Sequence, residues 1–132
     1  MAVTLTTAAR NAACNAIVDL VDAGAGDSTL VFYLANASTE VATLTFAATA
    51  FGASGAVNPG EAVAAAITSD TSATGNAAAA TVAKFLDGDG TEVLRCTVST
   101  IAAGTGDIQL TNNIITAGET VAITELKVTV PA

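Results

Sequence analysis

Residues 83–99 read Ala83-Lys84-Phe85-Leu86-Asp87-Gly88-Asp89-Gly90-Thr91-Glu92-Val93-Leu94-Arg95-Cys96-Thr97-Val98-Ser99. Two runs of alternating character flank Asp-Gly-Asp-Gly, whose residues tolerate the positive φ angles that tight hairpin turns demand. The stretch therefore reads as a β-hairpin. With Leu86 opposite Thr91, Phe85 and Ala83 share a face with Leu94 and Cys96, and Val98 continues that face. The same turn partly matches the opening of a calcium loop, but such a loop needs Gly at its sixth position and Glu at its twelfth. Here those places hold Glu92 and Val98, so the turn reading stands.

Working outward, the same alternation recurs. Ser28–Leu34 sets Leu30, Phe32 and Leu34 on one face, and Glu40–Phe46 does so with Ala42, Leu44 and Phe46. Asn36-Ala37-Ser38 between them matches a glycosylation acceptor, yet no signal peptide is visible at the start, and a loop is the better account. Residues 47–74 are ambiguous apart from the turn at Asn58-Pro59-Gly60; Glu61–Ile67 is read as a strand because strands surround it. Downstream lie short runs at Asp107–Leu110 and Asn113–Thr116, and a turn at Ala117-Gly118-Glu119 opens a long last strand. In that strand Val121 and Ile123 fall on one parity and Leu126, Val128 and Val130 on the other. A bulge near Thr124-Glu125 would bring all five to one face.

Only the N-terminal segment has a helical period. Thr6 or Thr7 can cap it, Ala9, Ala13, Ile17, Leu20 and Val21 make one stripe, and Gly24 can close it. Arg10, Asn11, Asn15, Asp19 and Asp22 make the polar side. The expectation is a mainly β single domain over 1–132: one amphipathic helix at about 7–23, then an antiparallel β-sandwich of jelly-roll or immunoglobulin-like type over 28–131.

Composition narrows function. The chain has 132 residues, is 52% hydrophobic, and has four Phe, one Tyr, no Trp and no His. The lack of His removes the commonest general base and metal ligand together. Four cations (Arg10, Lys84, Arg95, Lys127) face twelve acids, for a net charge of -8. Scattered cations cannot make the footprint that nucleic acid or an anionic membrane surface requires. The longest apolar runs, such as Ala62–Ile67, fall far short of the roughly 20 residues of a membrane helix. Neither Asp87 with Asp89 nor Asp19 with Asp22 has the aromatic lining of a sugar-cleaving pair, and Ser54 has no His to activate it. No catalytic, cofactor or metal site is expected. Cys14 and Cys96 fit no metal spacing; they read as two half-buried thiols, or else as a disulfide within the chain or between subunits.

Three elements resemble a family of small virion proteins of tailed bacteriophages. Thr7-Ala8-Ala9-Arg10-Asn11 running into Ala16-Ile17-Val18-Asp19 is similar to that family's N-terminal helix. The hairpin from Ala83 to Thr91 is similar to its central turn. Gly106-Asp107-Ile108 and Ala117-Gly118-Glu119-Thr120-Val121-Ala122-Ile123-Thr124 resemble its closing elements. The resemblance implies a β-sandwich particle component, above all a decoration or cement protein on the capsid exterior, assembled in the host bacterial cytoplasm. Its partners would be the major capsid protein and copies of itself, with contacts expected at Leu126, Val128 and Val130 of the last strand or Ile17 and Val21 of the helix. A neck, collar or tail component is the alternative, followed by a carbohydrate-binding adhesin module, against which the lack of Trp counts.

Overall fold

The computed structural model describes residues 3–132. Helix α1 spans Thr7–Val21. Thr6 starts it: its backbone is extended (φ -67, ψ 160) and its Oγ1 accepts from the Ala9 N–H at 3.3 Å, satisfying one donor that the first turn leaves open. The helix ends two residues before the expected limit, and Gly24 follows with φ +96.

Seven strands follow: β1 Thr29–Tyr33, β2 Glu40–Thr45, β3 Glu61–Val63, β4 Val82–Leu86, β5 Glu92–Thr100, β6 Ile108–Leu110 and β7 Lys127–Thr129. They form a five-stranded sheet in the order β2-β1-β4-β5-β6 and a two-stranded sheet, β3-β7. The protein is thus mainly β with one helix. Alternation places the faces of β1 and β2 as expected, with Leu30, Phe32, Ala42 and Leu44 wholly buried. Val31 and Val41, of opposite parity, are buried as well, so these strands are covered on both sides. The outer edge of β2 is closed by residues 68–75: the Thr45 and Thr68 amides each donate to the other's carbonyl, the Gly75 N–H donates to Val41 O, and the Thr43 N–H donates to Asp70 Oδ2.

The β4–β5 hairpin pairs Phe85 with Leu94 and Ala83 with Cys96. Leu86 meets Glu92 rather than Thr91, with an irregularity between Phe85 and Leu86. The turn is wider because Asp87 Oδ1 accepts from both Asp89 N–H and Thr91 N–H, at 3.0 and 2.8 Å. Beyond the irregularity the register differs by two residues from the expected one. A shift of two preserves the face of every side chain, which is why the face assignment survives.

Three expectations need correction. First, β5 and β6 are parallel, not antiparallel: Val98 pairs with Ile108 and Thr100 with Leu110. Parallel neighbours ordinarily need a crossover of about a dozen residues or more; residues 101–107 suffice here because their far end is tied to β5. The Thr97 N–H and Oγ1 both donate to Asp107 Oδ2, at 2.9 and 2.7 Å, and Gly106 crosses so near Ser99 N that a side chain would collide. Second, Asn113–Thr116 is not a strand; it is held irregularly, with Asn113 O and Ile115 O accepting from the Ala80 and Asn76 amides. Third, the last strand is not continuous. Val121 makes one bridge to Asp70, and β7 pairs with β3 only from Lys127. The chain bends at Thr124 instead of bulging, and the phase changes there as anticipated. Val121 and Leu126 are buried and Ile123, Val128 and Val130 half-buried.

Candidate interaction site

The residues expected to meet a partner meet each other. Helix α1 packs on β3, β5 and β7. The Arg10 Nε–H donates to Val130 O at 3.0 Å, and the Cys14 thiol donates to Val128 O at 3.4 Å. Val21 and Leu126 lie in the core, while Ile17, Val128 and Val130 are half-buried. Helix and last strand therefore form an internal seam, in which Val21 and Leu126 are buried within the chain while Ile17, Val128 and Val130 keep part of their surface.

The helix also faces differently from the expected stripe. Its buried positions are Cys14, Val18 and Val21, and Leu20 is 57% exposed. Polar residues set this rotation. Asn11 Oδ1 accepts from Gly60 N–H at 2.6 Å, Asn15 Oδ1 from Ser54 N–H at 2.7 Å, and Asp22 Oδ1 from Ala50 N–H at 2.7 Å. Asn11, Asn15 and the C-cap Asp22 lie on one helical face and hold the 50–60 segment along the helix through its backbone amides. Sequence reasoning assigned them to solvent; their shared face was the available signal.

Cys14 and Cys96 are both free thiols, Cys14 buried and Cys96 half-buried. Burial, and then the nearby charge of Asp107, push the Cys96 thiol up to about 11. A thiol held so far above the usual value is almost wholly protonated at neutral pH and a poor nucleophile. Among the described residues no group of three or more His, Cys, Asp or Glu is placed to hold a metal ion, and no helix is long and apolar enough to cross a membrane.

A slot of about 460 Å³ opens between residues 107–111, which include β6, and residues 122–127, which lead into β7. It exists because β6 is the last strand of its sheet and the bend at Thr124 withdraws the neighbouring segment. Leu110 O accepts from the Ile101 N–H on the β5 side. Backbone groups alternate along a strand, so the N–H and C=O of Gln109 point the other way, into the slot. Among the described residues neither has a partner. The rim is acidic. Thr97, through its backbone N–H and then its hydroxyl, holds the Asp107 carboxyl below its ordinary value. Lys127 does the same for Glu125, 2.7 Å away, and Glu125 and Glu61 together raise and occupy that lysine.

Neither a known protein family, nor a curated protein, nor a solved structure matches the chain.

Proposed function

We propose that this protein is a structural component of a tailed-bacteriophage virion, acting as a decoration or cement protein on the capsid exterior rather than as an enzyme. One observation carries the reading. The hairpin turn, one of the pieces that resemble the virion family, is locked to the segment that follows α1: the Gly88 N–H donates to Ala23 O, the Gly26 N–H donates back to Gly88 O and the Ala25 N–H donates to Asp89 Oδ1, at 2.7, 3.1 and 3.2 Å. The resembling turn is thus a joint of the scaffold, as suits a structural role. The net charge of -8 suits a solvent-facing outer layer and disfavours contact with packaged DNA. Exposed Leu20, Val57, Ile101 and Ile114 supply scattered apolar points for contact with the major capsid protein. Individually weak contacts suffice when each copy touches several subunits.

We read the two sheets as layers of one sandwich, of jelly-roll or immunoglobulin-like type. A crystal structure with the sheets stacked face to face about 10 Å apart is the expected outcome. For function, cryo-electron microscopy of the native particle locates and counts the protein in one experiment. Hundreds of copies on the head are expected. A dozen or fewer at the portal vertex would move the protein to the neck or tail, and its absence from purified particles would overturn the virion reading.

A further inference from the structure

We propose that the slot beside β6 receives the N-terminal arm of a second copy of this chain, residues Val3–Thr6, as an added β-strand. An unpaired strand edge with free backbone groups selects an extended peptide by hydrogen bonding. The chain itself carries such a peptide. Val3-Thr4-Leu5-Thr6 alternates apolar and polar, Thr6 is extended, and Val3 and Leu5 are 77% and 38% exposed. That exposure means the arm is not seated in its own slot, so the donor is another copy.

The dimensions agree: the stretch 107–111 lining the slot is about 17 Å long, β6 within it about 10 Å, and the four-residue arm about 13 Å. So does the parity. Ile108 and Leu110 turn inward and are buried, whereas Gln109 is exposed. A strand laid beside them places Val3 and Leu5 on the inner face with Ile108, Leu110 and Leu126, and Thr4 and Thr6 beside Gln109. Charge favours the same occupant. Two copies at -8 each repel, and the slot is lined by Asp107, Glu125 and Lys127, the last two paired to each other, yet residues 3–9 carry no charged side chain and approach without like-charge cost. Arm and slot are different surfaces, so the contact closes by reciprocal exchange in a dimer, closes as a ring or continues as a filament.

The proposal is independent of the virion reading, because it concerns the isolated chain. The test is the molar mass of the full chain by light scattering after size exclusion, at sub-millimolar concentration. The wild type is expected at a multiple of 12.8 kDa. Val3→Asp combined with Leu5→Asp is expected to return it to the monomer, and so is Gln109→Pro, which removes the outward donor. Circular dichroism checks that each variant is folded; should Gln109→Pro unfold, the arm variant decides alone. A monomeric wild type, or an arm variant that keeps the wild-type mass, overturns the proposal. In a background with Cys14→Ala and Cys96→Ala, Thr4→Cys with Gln109→Cys adds a positional check: under mild oxidation it is expected to cross-link efficiently into reductant-sensitive dimers or larger species. In the same background each variant with only one of the two new thiols is expected to cross-link far less, and a double variant that cross-links no better than the singles overturns the pairing.

Discussion

Asn15→Ala leaves the amide of the half-buried Ser54 without its acceptor. A buried donor left unsatisfied costs about 1–3 kcal/mol, so the variant is expected to unfold at lower urea, with faster hydrogen exchange at Ser54. The same residue supplies the contrast. Ser54 Oγ is buried with no hydrogen-bond partner, and a hydroxyl in that position costs rather than stabilises. Ser54→Ala keeps the amide that Asn15 binds and removes the orphaned oxygen. Its urea midpoint is expected at or above that of the wild type. If both variants are destabilised alike, the side chain of Ser54 contributes to the fold and the amide is not what Asn15 holds in place.

The β4–β5 hairpin tip sits against the segment after α1 through glycines, and the two sides of its turn respond oppositely to a side chain. A Cβ on Gly88 would run into the carbonyl of Gly26, whereas Gly90 (φ +80) has nothing within 4 Å. Gly88→Ala is expected to cost more than about 2 kcal/mol by forcing the tip off the helix segment. Gly90→Asn is expected to stay within about 1 kcal/mol, since Asn tolerates the left-handed region. Thermal melts of the two variants decide it. Elements of this kind mark the boundary of what was legible in the sequence. The hairpin, the inward faces of β1 and β2, the Thr6 cap and the phase change at Thr124 all rest on local periodicity and turn chemistry, and a single segment carries each. The rotation of α1 rests on amides 39 and 49 residues away. The parallel β5–β6 pair rests on the grip of Thr97 on Asp107. Such partners leave no periodic trace, so neither the packing of α1 on the last strand nor the slot at Gln109 is legible in the sequence.

At the scale of the whole molecule, a chain this rich in Ala has to concentrate its cohesion somewhere. Three of its four Phe meet in one cluster: Phe46 lies 5.6 Å from Phe51 and 5.7 Å from Phe85 between ring centroids, and Phe51 and Phe85 are 6.3 Å apart. They come from the end of β2, from the bridge to Ala64 and from β4, so one contact set ties together parts that are far apart in sequence. Aromatic pairs at such separations contribute about 0.5–1.5 kcal/mol beyond the area they bury. Phe85→Ala therefore removes the transfer energy of a fully buried ring, two ring contacts and the packing of a central strand. The expected loss is about 3–5 kcal/mol, a large share of the 5–15 kcal/mol typical of a folded domain. Val18→Ala, at an equally buried position on α1, removes far less area and is expected to lose markedly less. Urea denaturation of both variants with unchanged m-values would give the two losses on one scale. Equal losses would mean that cohesion is spread evenly through the small residues, and that the aromatic cluster is not where this fold is anchored.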